Sequence, residues 1–546
     1  MQEQSKDVVD DSKRKYVVVL GSLMSGLGKG VVTASLGKNL QARGFNVVPI
    51  KFDGYLNVDC GTMNPYRHGE VFVLDDGAEC DMDLGTYERF LNIDLKWDNN
   101  ITGGKIFQHI IEKERKGGYL GYDVQIVPHL TNEIKKWVKK VGDDFKADVV
   151  LIEVGGTVGD LENSYFIEAM RQLALEEKGK IVFIQVTYVP ILETVGEQKT
   201  KPTQHAARIL QGMGVQPDII VCRGTTKLTV EARKKIALFC SVQPEEVIDD
   251  QDTETIYEVP QLFDKQNLSK LVMDKLSIKG KDRDLKDWSE LVEKIKNPRN
   301  KVTIAITGKY TALKDSYVSI KEALVHAGAY NDCAVNLKWV ETTEIEEGKL
   351  KVDVLKDCDG IIVPGGYGPR GTEGKIQCIK YAREDDIPYL GLCFGMQYMV
   401  IEFARNVCGL EDANSTEANP NTKHPVVDLL PEQRYVEWMG ASNRLGAREI
   451  EIKSGTLAHK LYGKSLVRER FRHRYEVNPD YVDTLEKHGL VFSGVFPKGK
   501  IMEIAELNKN RFYLGTQFHP EFTSRLERPN PIYIGFVSAC LSKKKA

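Results

Sequence analysis

Runs of apolar, β-branched residues recur along the chain, separated by polar stretches and by segments of helical period. Tyr16-Val-Val-Val-Leu20 is the first run and Val47-Val-Pro-Ile50 the second. Between them lie a glycine-rich loop, Gly21 to Gly30, and a helical pattern from Val31 to Arg43. Strand, loop, helix and strand in that order make a βαβ unit and predict a parallel sheet. Asp148-Val-Val-Leu-Ile-Glu153, Lys180-Ile-Val-Phe-Ile-Gln-Val186 and Pro217-Asp-Ile-Ile-Val-Cys222 supply further buried strands. The first half therefore reads as a doubly wound α/β domain.

The pattern stops near residue 277. Lys279 to Trp288 is highly charged, Trp288 to Ile295 has the spacing of a short amphipathic helix, and Asn297-Pro-Arg-Asn300 ends it. We read residues 277–300 as a linker between a domain over 15–276 and a second over 301–541. Residues 1–14 read as a flexible lead-in and 542–546 as a solvated tail. The second domain repeats the α/β pattern with Val302-Thr-Ile-Ala-Ile306, Gly360-Ile-Ile-Val-Pro-Gly-Gly366, the run before Cys393, and Phe512-Tyr-Leu-Gly-Thr-Gln517. The expected fold is a P-loop-type parallel sheet domain followed by a second α/β domain.

Bulk properties narrow the function classes. The chain has 546 residues, too many for one hydrophobic core. A net charge of −3 points to no polyanion-binding surface, so no nucleic-acid partner is expected. No apolar run reaches membrane-span length, and the first residues are charged rather than signal-like. The ten cysteines are scattered without metal-type or disulfide-type spacing, which suits a reducing cytoplasm.

Candidate chemistry lies in both halves. Gly21-Ser-Leu-Met-Ser-Gly-Leu-Gly-Lys29-Gly30 follows a strand and opens a helix, the context in which backbone N–H groups cradle phosphate. Leu23 and Gly30 depart from the usual pattern, and Gly30 offers magnesium no hydroxyl. Carboxylates must then hold the metal, and Asp76 in a turn and Glu153 at a strand end are candidates. Lys199-Thr-Lys-Pro-Thr-Gln204 puts two lysines and two hydroxyls ahead of a helix, a combination suited to a second polyphosphate. In the second half, Leu392-Cys393-Phe394-Gly395 places a thiol on a tight turn after a strand. Downstream, His519-Pro-Glu521 supplies an imidazole and a carboxylate. These are the parts of an acyl-transfer nucleophile.

Taken together these segments resemble the CTP synthase family. The resemblance rests on Ser25-Gly-Leu-Gly-Lys-Gly, His68-Gly-Glu-Val-Phe-Val, Asp76-Gly-Ala-Glu, Glu153-Val-Gly-Gly-Thr-Val-Gly-Asp, Gly196-Glu-Gln-Lys-Thr-Lys-Pro-Thr-Gln, Asn414-Ser-Thr-Glu, His473-Arg-Tyr-Glu-Val-Asn and His519-Pro-Glu-Phe, running from about Lys15 to Phe536. It implies amination of UTP to CTP with ATP and glutamine, through a 4-phosphorylated UTP. It also implies Mg²⁺, activation by GTP, inhibition by CTP, and a homotetramer that can form filaments. By position, Gly26, Leu27, Gly28, Lys29, Gly30 and Val31 match the ATP phosphate loop, with Lys51 beside the transferring phosphate. Asp76 and Glu153 match the magnesium ligands. Gln251, Asp252 and Thr253 match the adenosine contacts. Ser25, Asp160, Leu161, Glu162, Lys199, Thr200, Lys201, Pro202, Thr203, Gln204 and Lys235 match positions that hold UTP or inhibitory CTP.

The second half resembles class I glutamine amidotransferases. Cys393 would attack the glutamine amide, His519 would draw the thiol proton and pass it to ammonia, and Glu521 would orient the imidazole. Phe394 and the Gly365-Gly366 turn would supply the oxyanion N–H donors. Gly395, Met396 and Gln397 belong to the same elbow. Gln397, Glu417 and Arg474 match glutamine-binding positions, and Arg370 the segment linked to GTP. The chain departs from the family at Phe394, Gly54, Ser164-Tyr165 and the Gly440–Gly446 segment. Gly54, in place of a proline, is expected to loosen a loop, and Ser164-Tyr165 to weaken CTP inhibition. A different glutamine-dependent synthetase, or a filament-forming or regulatory relative with reduced activity, are the alternatives.

Overall fold

A computed structural model describes residues 13–64, 68–192, 194, 196–309, 314–429, 443–499 and 501–545. The expected lead-in lies outside the described residues except for Lys13 and Arg14, as do positions 440–442 of the variant glycine segment. Arg14 is buried, its Nε donating to the Ala147 carbonyl at 3.2 Å and its guanidinium 2.8 Å from Asp143. The lead-in is therefore anchored at its end.

The chain divides into two compact units. The first runs to Cys60 and from Thr86 to Val292; the second takes Gly61–Gly85 and continues from Glu293. The sequence pattern did not separate Gly61–Gly85 from its neighbours, because its two short strands carry too few residues to show a period.

In the first unit seven strands form one parallel sheet, in the order Val247–Gln251, Ile219–Gly224, Ile181–Tyr188, Lys15–Gly21, Val149–Val154, Val47–Asp53, Asn100–Thr102. The central strand Lys15–Gly21 is buried from Tyr16 onward, as the unbroken β-branched run requires of a strand covered on both faces. The short amphipathic helix expected within the linker is present. It spans Lys286–Lys296 and buries Trp288, whose indole N–H donates to the Tyr257 carbonyl at 2.8 Å.

The second unit is built on a nine-stranded sheet. Its order is Cys333–Glu341, Asn300–Gly308, Gly360–Val363, Tyr389–Leu392, Tyr513–Thr516, Met502–Glu506, Val491–Val495, Arg444–Ile452, Leu466–His473. The first five strands are parallel and the rest antiparallel. Tyr389–Leu392 and Tyr513–Thr516 pair near the middle, so the loops carrying Cys393 and His519 leave adjacent strands at the same edge. That edge is where open α/β sheets bind ligands. The expected tail is helical, in the helix Pro531–Lys545.

A hairpin from Gly61–Gly85 belongs to this unit. Phe72–Val73 and Glu79–Cys80 pair antiparallel, and the intervening turn meets the edge strand Leu466–His473. Arg468 reaches Asp75 at 2.7 Å, Arg470 donates to the Val73 carbonyl at 3.1 Å, and Arg472 meets Glu79 at 2.7 Å.

Candidate active site

The nucleophile elbow follows from chain geometry. Cys393 stands between the strand Tyr389–Leu392 and the helix Phe394–Asn406, with φ 50° and ψ −99°. Such a backbone is strained for a side-chain-bearing residue and costs about 1–3 kcal/mol, which the surrounding packing must hold. The Cys393 N–H donates to the Thr516 carbonyl at 2.6 Å, tying the turn to the neighbouring strand. Gly395 is required there: a Cβ on it would lie 2.1 Å from the Val363 carbonyl oxygen.

The expected partners converge on the sulfur. His519 Nδ1 bonds Glu521 Oε1 at 2.7 Å, which leaves Nε2 for the thiol. Burial disfavours charge on the imidazole, but negative charge at Glu521 and Cys393 outweighs it and pushes His519 up to about 10. Two contacts on Cys393 were not expected. The Gln517 amide approaches Sγ at 3.5 Å, and Sγ donates to the Arg472 carbonyl at 3.6 Å. The Arg472–Glu79 ion pair described above anchors that backbone, and the guanidinium lies 5.6 Å over the Tyr367 ring. Glu79 sits far from Cys393 in sequence and no spacing pointed to it.

A cavity of about 580 Å³ opens over these groups, lined in part by Gly365, Gly366, Cys393, Glu417, Arg474 and His519. Gly365 packs on the imidazole, since a Cβ there would meet His519 Cε1 at 2.9 Å. Glu417 accepts the Gly368 N–H at 2.7 Å; burial raises its carboxyl, against the pull of that N–H and of Lys309, Lys375 and Arg474. Gln397 is buried, its amide donating to the Tyr475 carbonyl at 2.7 Å, and Met396 is buried beside it. Arg370 donates to the Lys309 carbonyl at 3.4 Å. Phe394 is buried, its ring 4.4 Å from that of Tyr398.

In the first unit the glycine loop turns through left-handed residues, with φ 83° at Leu23, 75° at Gly26 and 82° at Gly28. The helix Lys29–Gln41 begins right after, so the N–H groups of Gly30 and Val31 stand at its N-terminus. Leu27 is buried under the loop and Ser25 is exposed on it. Lys29 donates to the Gly156 carbonyl at 3.0 Å. Lys51 and Glu153 are register partners on adjacent strands and meet at 2.7 Å, while Tyr87 donates to the other Glu153 oxygen.

Around this edge, Asp160 Oδ2 accepts the Thr157 N–H at 3.1 Å, and Leu161 and Glu162 open a short helical turn. Gly54 fits tightly: a Cβ there would lie 2.8 Å from both Cβ and the carbonyl oxygen of Glu162. The expected loosening is therefore replaced by close packing of two loops. Tyr165 is buried against Phe166, its ring 4.6 Å away. Thr200 precedes the helix Lys201–Gly212, which carries Pro202 in its first turn; Thr203 bonds Thr187 at 3.1 Å and Gln204 donates to Thr200 at 3.0 Å. Lys199 pairs with Glu197, and Lys235 lies on the helix Val230–Cys240. Gln251 ends the strand Val247–Gln251, Asp252 pairs with Arg223 at 2.6 Å, and Thr253 donates to the Thr255 carbonyl. Asp76 lies in the hairpin turn of the second unit, accepting the Ala78 N–H at 3.2 Å.

The class of protein is now defined: a parallel-sheet α/β unit on one polypeptide with a class I glutamine amidotransferase unit. Residues 15–278 match the model of the CTP synthase N-terminus and residues 312–539 that of glutamine amidotransferase class-I. CTP synthase of Methanocaldococcus jannaschii is 52% identical over 97% of this chain and 99% of its own. That of Pyrococcus furiosus is 53% identical over 97% and 98%. Among solved structures, the glutaminase domain of Trypanosoma brucei CTPS with bound acivicin is 38% identical, covering 44% of this chain and 94% of its own, with a TM-score of 0.41. The chain belongs to the CTP synthase family.

Proposed function

We infer that the chain aminates UTP to CTP, using ATP and taking nitrogen from glutamine. The observation that carries the glutaminase half is Cys393 on a strained elbow, in one cavity with the His519–Glu521 pair and close enough to raise His519. Cys393 adds to the glutamine amide carbon, ammonia leaves with a proton from His519, and water then releases glutamate from the thioester. Phe394 and the Gly365–Gly366 turn donate N–H groups to the oxyanion, and Gly395 lets the elbow close. Glu417 and Arg474 carry the charges that suit the α-ammonium and α-carboxylate of glutamine, with Gln397 and Met396 buried in the elbow helix behind Cys393.

In the synthetase half, the loop from Gly26 to Val31 takes the ATP phosphates, and Lys29 and Lys51 neutralise the transferring phosphoryl group. O4 of the uracil ring takes the γ-phosphoryl group of ATP as ADP leaves; ammonia then adds to C4, loses a proton, and inorganic phosphate departs with O4. Mg²⁺, when bound, neutralises polyphosphate charge; Glu153 is a buried hard-oxygen donor of the kind it takes, and Asp76 is the second carboxylate proposed. Ser25, the Lys199–Gln204 segment and Lys235 are proposed for UTP, Asp160–Glu162 for inhibitory CTP, Gln251–Thr253 for adenosine and Arg370 for the GTP response. A cytoplasmic homotetramer, able to form filaments, completes the reading. Among the described residues no helix is long and apolar enough to cross a membrane. The presence of Cys393, His519, Glu521, Lys29 and Lys51 supports an active enzyme over a silent regulatory relative.

The test is incubation with UTP, ATP and Mg²⁺, plus either glutamine or ammonia, following CTP by ultraviolet absorbance. Product from both nitrogen sources is expected. Product from neither would overturn the reading.

A further inference from the structure

Lys375 lies in the first turn of the helix Thr372–Glu384 and is 1% exposed. Its ammonium nitrogen is 4.5 Å from the Phe394 ring centroid. A Cβ built on Gly366 would lie 3.7 Å from the same nitrogen. The ammonium is thus wedged between the two segments that, on the glutaminase reading, supply the oxyanion donors. Among the described residues it has no hydrogen-bond or ion-pair partner. A buried cation without an anion is costly, and the aromatic face of Phe394 offsets only part of that. Lys375 does not line the reaction cavity, whereas Gly366 does, so the ammonium lies behind that part of the wall.

We propose that Lys375 is a positioning residue for glutamine hydrolysis, holding the Gly366 and Phe394 segments together and supplying positive charge behind the oxyanion they bind. The proposal rests on the glutaminase reading above. When Cys393 adds to the amide, the carbonyl π electrons move to oxygen, and this negative charge is what the ammonium lacks in the resting site. Stabilisation arises as the charge develops, so the effect falls on kcat rather than on glutamine KM.

The surrounding charges set the pH range. Burial, then the neighbouring Lys309 ammonium, lowers Lys375 to about 7, while Glu341 and Glu417 oppose the shift. Lys309 stands at the end of the strand Asn300–Gly308 and donates to the Tyr367 carbonyl; Arg370 bonds the Lys309 backbone. Cys378, one turn along the Lys375 helix, and Tyr398, whose ring lies tilted against Phe394, are both raised by burial and stay neutral. The charge on Lys375 is therefore lost as pH rises above neutral, well before His519 titrates at about 10.

The experiment measures glutaminase kcat and KM of the full chain from pH 6 to 10, with UTP and ATP present. Lys375→Met keeps the length and removes the charge; Lys375→Arg keeps the charge throughout. We expect kcat of the unaltered chain to decline between pH 7 and 9. Lys375→Met should lower kcat at pH 7 about tenfold, leave KM within twofold, flatten that decline, and retain ammonia-dependent CTP formation. Lys375→Arg should hold kcat at pH 7 and lack the decline. Unchanged kcat and pH profile in Lys375→Met would overturn the proposal. If Lys375→Met does not fold, a Lys375→Arg profile identical to that of the unaltered chain overturns it instead. Absence of glutamine hydrolysis in the unaltered chain would overturn the glutaminase reading itself, whereas hydrolysis insensitive to Lys375 would overturn only this inference.

Discussion

Lys51 and Glu153 face each other across adjacent parallel strands, their side chains 2.7 Å apart and both buried. Removing one member of such a pair leaves an uncompensated charge and costs about 3–5 kcal/mol. Lys51→Met should lower stability by that order in a denaturant titration and abolish CTP formation from glutamine and from ammonia alike. Adding Glu153→Gln should recover most of the stability and none of the activity.

Cys393→Ala should abolish CTP formation from glutamine and leave the ammonia-dependent reaction near its original rate, because on the proposed reading the sulfur serves only nitrogen release. Loss of both activities in a folded variant would contradict the division of labour between the units.

Glu521→Gln removes the charge that supports the His519 imidazolium. Glutaminase kcat should fall on the order of 10²–10⁴-fold, as when the orienting carboxylate of a triad is made neutral. The sign of the pH effect follows from the raised His519: the imidazolium persists up to about 10 and is lost above it. Without Glu521 that loss should begin at lower pH, seen as an alkaline limb displaced toward neutrality in kcat/KM.

Gly54→Ala introduces a Cβ 2.8 Å from Glu162 backbone and side chain. Overpacking of this kind costs about 1–3 kcal/mol. The variant should melt earlier, and its concentration for half-inhibition by CTP should change, since the displaced loop carries Asp160–Glu162. An unaltered inhibition curve would separate that loop from the inhibitor.

The strands were legible because fully buried parallel strands are unbroken apolar runs: Tyr16–Leu20 emerged as Lys15–Gly21 and Val302–Ile306 as Asn300–Gly308. The elbow was legible because a thiol bracketed by Gly391 and Gly395 leaves a local signature. Glu79, Arg472 and Lys375 were not. Each acts through partners distant in the chain, and a lone charged residue carries no period. Trp288 opened the expected amphipathic helix, but the charges around it gave no sign of the Tyr257 carbonyl that its indole meets.

The hairpin of Gly61–Gly85 has a consequence for how the protein is made. Its Glu79 meets Arg472 across 393 positions of sequence. During synthesis the acidic turn emerges early and waits, unpaired, until the edge strand Leu466–His473 leaves the ribosome. Contacts of such long range close slowly, because the loop entropy comes before the reward. The glutaminase unit therefore finishes its sheet edge only when nearly the whole chain exists.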